Sequence, residues 1–548
     1  MTHRKIESSD STPKYAQHVP AESEQNGAFE PSQSPRNPAL ARFPKRTENR
    51  STTVDQYVNQ IHITSGKWIN DPCGPVIPEE GRTIVYFQAA DNIIPEQVHW
   101  RGASSRDGGI TWERHSEPAI PYDAKTGTQA FTGTVVVDAS NTSGLFNDDE
   151  TTDPHLIAIY TAARYAPHVS EPTQVQNIAY STDGGKTYAQ YEGNPVLDVS
   201  NPNFRDPQVF WHPGTQRWVM AVALANDHKV SIYSSEDLVQ WTAESSFGPE
   251  GTLGEAYECP NLVQLPIEGS NEKQWVLLIS INPGAPGGGS ATQYFTGSFD
   301  GKRFKSDENP PRWLDFGKDS YAIQVANRPP GEDGPATALA WVGNWQINDK
   351  IPPEARGALS IPCHLSVRMT SKGPRVVQKP ISLKPLRSST MDLGDIQLEH
   401  KQTTTLSLKD GTPFEFEATV TVRPEQHMCF ELRNEHGEKI VIGYDASKYR
   451  KQIYVSRANT KGFEDPLYTS DGAAFLPLPD EHLKLHVFVD RTIVEVFADA
   501  GDGGTEKATF QYFMKDGPVS QLVARSAGEG DVSLSNYRVH SLGSIWKS

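Results

Sequence analysis

The sequence predicts an all-β protein in which a β-propeller is followed by a β-sandwich. Three observations support this prediction: short β-rich segments fill the middle of the chain, a hairpin sequence recurs there four times, and apolar and polar residues alternate strictly in the last third. The composition agrees, because 9% aromatic residues with 43 glycines and 41 prolines suit short strands and turns better than helical bundles.

The first segment, residues 1–52, is predicted to be a disordered tail. It is rich in Ser, Pro, Glu, Gln and Asn and has almost no apolar periodicity. Such a composition cannot bury enough apolar surface to offset the entropy lost on ordering.

Residues 53–379 form the predicted propeller. Short β-rich runs such as residues 83–87 (TIVYF) alternate with turns, and copies of a Ser-x-Asp hairpin sequence recur 54 to 76 residues apart. The copies begin at Ser105, Ser181, Ser235 and Ser298. Asp and Gly suit the turn of a hairpin, and the aromatic residue that follows packs back onto the sheet. Repeated four-stranded units of this period are typical of propeller blades, although four copies do not determine the number of blades.

A linker at residues 380–392 and a β-sandwich at residues 393–548 complete the predicted domain order. The strongest hairpin, residues 485–497 (LHVFVDRTIVEVF), alternates apolar and polar positions as a half-buried strand does. Its carboxylates, Asp490 and Glu495, are therefore expected to face solvent. We interpret this second domain as structural rather than catalytic.

The net charge and the cysteine content limit the kinds of partner and the cellular compartment that we expect for the protein. The formal charge of −17 argues against nucleic acid, since phosphate binding depends on Lys and Arg. No apolar run approaches the length of a membrane span, and no apolar segment of a secretory signal follows the basic residues near Met1. The cysteines lack metal-ligand spacing and are expected to be reduced thiols: Cys73, Cys259, Cys363 and Cys429. These observations predict a cytoplasmic protein without nucleic-acid or membrane partners.

Three acidic motifs carry most of the functional information. They are residues 68–74 (WINDPCG), residues 204–207 (FRDP) and residues 257–260 (YECP). Each supplies one carboxylate, and retaining glycoside hydrolysis needs one carboxylate as nucleophile and one carboxylic acid as proton donor. The large separations between the motifs suit placement on different blades whose inner strands converge on the central channel.

Taken together, the motifs resemble glycoside hydrolase family 32, which contains invertases, inulinases and fructosyltransferases. The resemblance spans about residues 54–548 and implies five propeller blades. It also implies that Asp71 is the nucleophile, that Glu258 is the acid/base and that Asp206 stabilises the transition state. The acid/base role requires a raised pKa for Glu258, which a nearby ionised Asp71 and apolar walls could supply.

The same resemblance implies the substrate-binding residues and the partners. Arg205 would orient the carboxylates through its rigid guanidinium group. The residues that would line a fructose pocket are Asn70, Gln88, Trp100, Phe131 and Thr132. We expect no metal and no organic cofactor, because the chemistry needs only carboxyl groups. The expected partners are sucrose and fructo-oligosaccharides, and a homodimer is a further expectation.

Two departures from the family pattern bear on specificity. Cys73 stands where the family usually has Asn, and Arg101 stands where many relatives have His. Both changes lie near the expected pocket, where they would alter how water competes with a sugar hydroxyl for the fructosyl intermediate. Fungal transfructosylating members of the family also have Asp-Pro-Cys, so the resemblance favours fructosyl transfer.

The sequence therefore predicts a β-fructofuranosidase that hydrolyses sucrose and also transfers fructosyl units. The alternatives are a fructan hydrolase that prefers inulin or levan and a non-catalytic sugar-binding protein. A sialidase would share the Ser-x-Asp-Gly repeats, but it needs an arginine cluster that the sequence does not display.

Overall fold

The computed structural model describes residues 57–90, 97–147, 153–164, 173–307, 310–351 and 355–547. The predicted tail at residues 1–52 lies outside these residues. Within them, no helix is both long and apolar enough to cross a membrane.

Five antiparallel sheets form the blades of a propeller. Blades I to III contain β1 (Trp68–Glu79), β2 (Arg82–Ala90), β3 (His99–Ser105), β4 (Glu113–Arg114), β5 (Thr128–Val137), β6 (Leu156–Arg164), β7 (Thr173–Ser181), β8 (Ala189–Gln190), β9 (Phe204–His212), β10 (Arg217–Leu224), β11 (Lys229–Ser235) and β12 (Thr242–Phe247). Blades IV and V contain β13 (Ala256–Pro266), β14 (Lys273–Asn282), β15 (Ala291–Phe299), β16 (Phe304–Ser306), β17 (Arg312–Trp313), β18 (Tyr321–Val325), β19 (Ala336–Val342), β20 (Ala358–Leu359), β21 (Cys363–Thr370) and β22 (Gly373–Pro380).

The first strand of each blade faces the centre of the propeller. These inner strands, β1, β5, β9, β13 and β18, contact one another in a closed ring. Every one of them is interrupted by a register shift against its neighbour, at the level where the acidic motifs lie. A β-bulge of this kind bends the strand and redirects a side chain. The ring of bulges therefore aims side chains from all five blades at one place.

The recurring hairpin sequence marks one position in each of four blades. The third strand of blades I, II and III ends at Ser105, Ser181 and Ser235, and Ser298 lies at the end of β15. In blade I the Ser105 hydroxyl donates to Asp107, whose carboxylate accepts the amide hydrogen of Thr111. Blade V turns instead at residues 370–373 (TSKG), which lack the repeat. Five blades with four copies of the repeat agree with the implied five-bladed propeller.

The β-sandwich consists of two six-stranded sheets. Its strands are β23 (Arg387–Leu398), β24 (Thr403–Ser407), β25 (Phe414–Thr421), β26 (His427–Arg433), β27 (Lys439–Asp445), β28 (Gln452–Asn459), β29 (Gly472–Phe475), β30 (His482–Val489), β31 (Ile493–Asp499), β32 (Thr505–Gln511), β33 (Gln521–Ser526) and β34 (Val532–Leu542). The sheet orders are β23-β34-β25-β30-β31-β32 and β24-β33-β26-β27-β28-β29. One short helix, α1 (Pro466–Thr469), precedes β29, and β23 begins inside the predicted linker. The predicted domain boundaries stay predictions.

A hydrophobic cluster joins the propeller to the sandwich. It contains Ile61 and Ile63 before blade I, Leu339 of blade V and Phe488 of the sandwich, all at most 2% exposed. The core of the sandwich lies elsewhere, between its two sheets. One face of the β30–β31 hairpin therefore packs against the propeller.

This packing corrects the expectation that Asp490 and Glu495 face solvent, which is wrong. Asp490 is 2% exposed and Glu495 is fully buried. His62 bridges them, with its Nδ1 2.9 Å from Asp490 and its Nε2 3.0 Å from Glu495, and Lys507 lies 2.8 Å from Glu495. The polar positions of the hairpin thus meet charged partners at the junction, not water. We call these four residues the junction cluster.

Candidate active site

A cavity of about 200 Å³ contains the carboxyl groups of all three acidic motifs. Its lining residues are Trp68, Asn70, Asp71, Gln88, Val98, Gln129, Phe131, Thr132, Arg205, Asp206, Glu258 and Trp345. The acids come from β1, β9 and β13, the inner strands of blades I, III and IV. The cavity therefore brings together residues that are far apart in the sequence.

Asp71 lies at the end of a chain of hydrogen bonds. Asn70 donates to Gln88 at 3.2 Å, Gln88 donates to the Thr132 hydroxyl at 2.7 Å, and that hydroxyl donates to Asp71 Oδ2 at 2.7 Å. The other oxygen, Oδ1, is buried without a hydrogen-bond partner among the described residues. An oriented carboxyl with one unoccupied oxygen suits contact with a ligand.

Asp206 sits at the bulge of β9 with a left-handed backbone, φ 64°. Its amide hydrogen is accepted by the Thr161 hydroxyl at 2.9 Å, and its Oδ2 accepts the Cys259 amide at 3.0 Å. The proline that follows it is tolerated because a bulge interrupts the hydrogen-bond ladder. The bulge in β9 therefore explains why a proline can directly follow the pocket residue Asp206.

Glu258 is held through both carboxylate oxygens. Arg205 donates to Oε1 from Nε at 3.1 Å and from Nη2 at 2.9 Å. The Tyr321 hydroxyl donates to Oε2 at 2.5 Å. Sequence reasoning missed Tyr321, because residues 321–324 (YAIQ) carry no recognisable signature.

The electrostatics of the pocket are dominated by burial of acids near other acids. Burial, followed by the charge of Asp206, raises the pKa of Asp71 to about 8. Burial also raises the pKa of Asp206 to about 6, although the Arg205 guanidinium opposes the rise. From the sequence we expected Asp71 to be ionised. In the structure, a pKa of about 8 means that Asp71 itself holds a proton near neutral pH.

The predicted substrate-binding residues divide into two groups. Asn70, Gln88, Phe131, Thr132 and Arg205 line the cavity and Trp100 does not. Trp100 is fully buried and donates its indole hydrogen to the Phe131 carbonyl at 2.9 Å, so it supports the wall from behind.

Further cavity residues escaped the sequence analysis. Gln129 accepts the Val98 amide at 2.9 Å and so fixes one edge of the cavity, while Trp68 and Trp345 extend its apolar wall with Phe131. Trp68 opens the first acidic motif, so its position beside Asn70 and Asp71 was a signal that the sequence analysis did not use. Trp345 lies outside the three acidic motifs. Their assignment depends on three-dimensional proximity.

Cys73 lies behind the pocket and does not line it. Its side chain is fully buried and its thiol donates to the Asp71 carbonyl at 3.5 Å. Burial raises the pKa of this thiol well above its usual range, so it stays a neutral packing group. Cys259 is similarly buried, with its sulfur 3.5 Å from Asp71 Oδ2 and 3.6 Å from Asp206 Oδ2.

Among the described residues, one group has the spacing of metal ligands, and it lies in the sandwich. Glu415, Glu417 and His486 have ligand atoms within 4.8 Å of one another. Arg387 lies 2.6 Å from Glu415 and 2.8 Å from Glu417, and His486 lies 2.6 Å from Glu415. These ligand atoms are therefore already engaged by cationic or hydrogen-bonding side chains of the protein.

A propeller that gathers two aspartates and a glutamate in one small pocket is the arrangement of a glycoside hydrolase. The family models agree. Glycosyl hydrolases family 32 N-terminal domain matches residues 62–380, and glycosyl hydrolases family 32 C terminal matches residues 382–539. The chain belongs to glycoside hydrolase family 32.

Known proteins of related sequence and structure are consistent with this assignment. The chain is 36% identical over 454 residues to an extracellular exo-inulinase of Meyerozyma guilliermondii, covering 79% of this chain and 86% of that protein. It is 31% identical over 516 residues to an invertase of Schizosaccharomyces pombe, covering 89% and 85%. The β-fructofuranosidase of Schwanniomyces occidentalis, solved with fructosyl-erythritol, superposes with a TM-score of 0.78 at 30% identity, covering 89% and 98%.

The comparisons also correct the predicted cytoplasmic location, which is wrong. The Meyerozyma relatives are named as extracellular enzymes, which points away from the cytoplasm. The cysteine argument fails for a physical reason: all four thiols are unpaired and buried. Thiols that pack as small apolar groups say little about the redox state of the compartment.

Proposed function

We propose that the chain is a retaining β-fructofuranosidase that hydrolyses sucrose and short fructans, with fructosyl transfer as a second activity. The observation that carries the proposal is the convergence of Asp71, Asp206 and Glu258 on one cavity. The relatives named invertase and exo-inulinase support fructosides as the substrate class.

Asp71 would attack the anomeric carbon and form a covalent fructosyl intermediate. Its unoccupied, buried Oδ1 and the Thr132 hydrogen bond to Oδ2 support this role. Glu258 would protonate the leaving oxygen and later deprotonate the incoming water or sugar. Asp206 would accept hydrogen bonds from the fructosyl hydroxyls and stabilise the positive charge of the transition state.

The proton content of the three acids fits this mechanism. The reactive state needs one proton among them, carried by Glu258 and directed at the leaving oxygen. In the free protein the pKa of about 8 leaves one proton on Asp71 at neutral pH. In the complex with a fructoside the mechanism requires that proton on Glu258, within hydrogen-bond reach of the glycosidic oxygen.

The size of the cavity favours recognition of a single terminal sugar unit. About 200 Å³ is smaller than the roughly 300–1,000 Å³ typical of pockets for drug-sized ligands. The cavity is lined by Trp68, Phe131 and Trp345 as well as by the carboxyl groups, which suits a sugar ring with both apolar and polar faces. Sucrose and a fructan both end in such a unit, so the pocket supports both as donors.

The test measures glucose and fructose separately from sucrose at low and high concentration. We expect equal release at low concentration and glucose in excess over fructose at high concentration, because sucrose then competes with water as the acceptor. Asp71→Ala should abolish both signals, whereas the exposed Glu192→Ala should leave them unchanged.

The same assay decides between the substrate alternatives. A kcat/KM for inulin or levan far above that for sucrose would replace the invertase assignment by a fructan hydrolase. Equal release of glucose and fructose at every sucrose concentration would contradict the proposed transfer activity. Failure to release either sugar from all three substrates would contradict the proposed function. The expected homodimer stays a prediction.

A further inference from the structure

Blades III, IV and V repeat one backbone feature at the pocket. In each inner strand a residue with a left-handed backbone follows the last paired residue before the bulge: Asp206 with φ 64°, Cys259 with φ 48° and Ala322 with φ 51°. Non-glycine residues adopt this conformation uncommonly, so three equivalent occurrences indicate a shared local structure.

The residues that precede these positions are therefore structurally equivalent: Arg205, Glu258 and Tyr321. Their side chains meet one another, with Glu258 in the middle. Arg205 comes from one neighbouring blade and Tyr321 from the other. Blade V, which carries no acidic motif, thus contributes to the same constellation through Tyr321.

The two contacts leave the oxygens of Glu258 in different situations. Oε1 accepts two hydrogen bonds from the Arg205 guanidinium, at 2.9 and 3.1 Å, which fill its lone pairs. Oε2 accepts one hydrogen bond, from Tyr321 at 2.5 Å. A carboxylate oxygen has two lone pairs, so Oε2 retains one that can carry a proton.

We propose that Tyr321 is a positioning residue that makes Oε2 the proton-carrying oxygen of Glu258 and directs it at the leaving group. This inference rests on the acid/base role of Glu258 in the proposed function. As a hydrogen-bond donor, Tyr321 also favours the ionised form that the second half of the reaction requires.

The surroundings of Tyr321 keep it in the donor state. Its side chain is 1% exposed and packs edge-to-face on Trp341, with ring centroids 6.4 Å apart. Burial, followed by the charge of Glu258, raises the pKa of the phenol well above its usual range. The hydroxyl is therefore protonated throughout the pH range in which the protein would work.

Tyr321→Phe removes only the hydroxyl and keeps the ring that packs on Trp341. On sucrose, whose leaving group needs a proton, we expect kcat to fall about tenfold with KM within a factor of about two, because a misdirected acid loses part of its catalytic contribution. On an aryl β-fructofuranoside with a nitrophenolate leaving group, formation of the intermediate needs no proton. The pre-steady-state burst of nitrophenol should therefore keep its wild-type rate.

Tyr444→Phe is the matched control. It removes another buried tyrosine hydroxyl, which donates to the Leu476 carbonyl at 2.8 Å inside the sandwich. Tyr444→Phe should leave the rates on sucrose and on the aryl β-fructofuranoside unchanged. An equal loss of rate on both donors by Tyr321→Phe would mean a structural role and would overturn the proposal, as would no loss on either.

A second readout does not depend on turnover. In the free protein, carbon-13 NMR of glutamate carboxyl groups, assigned with Glu258→Gln, should show that Glu258 holds its proton to higher pH in Tyr321→Phe than in the wild type. An unchanged titration would overturn the proposal. If the wild type cleaved neither donor, the proposed function would fail, and this titration would still decide whether Tyr321 controls the proton on Glu258.

Discussion

The buried carboxyl groups of the propeller pocket and those of the junction cluster differ in how their pKa values shift. In the pocket, three acids share a single guanidinium, and the pKa values of Asp71 and Asp206 rise to about 8 and about 6. At the junction, burial alone would raise the pKa of Glu495, but Lys507 and His62 outweigh it and lower the pKa to about 2.

The difference teaches that burial does not determine whether a carboxyl is charged; the neighbouring cations do. The junction pairs two acids with two cations, so its ionised form is stable. The pocket lacks that balance until a ligand brings a developing positive charge. Each cluster can be altered separately, which makes the comparison testable.

The largest expected effect comes from Asp71→Asn. We expect kcat on sucrose to fall by about 10⁴-fold or more, as for other covalent nucleophiles. Because the folded state raises the pKa of this acid far above its unfolded value, folding is opposed at pH 7, and the amide should raise the free energy of unfolding by about 4 kcal/mol. Urea denaturation and initial rates measure both. A less stable, inactive variant would contradict the view that the pocket is strained by its own acids.

Glu495→Gln is the counterpart at the junction. It removes the buried carboxylate that both His62 Nε2 and Lys507 contact. His62 then keeps only Asp490, and Lys507 keeps only Asp315 at 3.8 Å, so the free energy of unfolding should fall by about 3–5 kcal/mol. The kcat of the folded fraction should stay within about twofold, since the residue does not touch the pocket. The exposed Glu529→Gln should change stability by less than about 0.5 kcal/mol. Equal stability of the two variants would show that the junction charges contribute nothing.

The next effect is the pH dependence of stability. The bonds from Asp490 and Glu495 raise the pKa of His62 to about 9 from 6.5 in spite of its burial. The protonated histidine therefore contributes about 3 kcal/mol, fully present below pH 6.5 and lost as the pH rises through 9. Urea midpoints between pH 6 and 10 should fall in the wild type. A His62→Gln variant should show a flatter profile; the same slope in both proteins would exclude His62 as the source.

The smallest effect is on the pH profile of activity. Below about pH 6 Asp206 gains a proton, and above about pH 8 the three acids lose the last one. We therefore expect kcat/KM for sucrose to fall about tenfold per pH unit on either side of a maximum between these values. Rates measured from pH 4 to 10 provide the test. A maximum well outside this pH range would contradict the raised pKa values of Asp71 and Asp206.

The sequence predicted the fold class and the acidic motifs because both have local signatures. The Ser105 hairpin and its copies repeat a turn, and Asp-Pro at a bulge is a visible pattern. Tyr321 was not predicted, because its role follows from its equivalence to Arg205 on β9 and Glu258 on β13, and the spacing of these residues in the sequence does not show that equivalence. The Asp490 prediction failed because alternation shows which residues share a face but not what covers that face.

The hydrophobic cluster at the junction has a consequence for modularity. The two family models divide the chain between residues 380 and 382. Phe488 and Leu542 of the second segment nevertheless complete the same core as Ile61 and Leu339 of the first. The boundary between the two family models therefore does not coincide with a boundary in the core, and a propeller expressed by itself would display an apolar face that the sandwich covers.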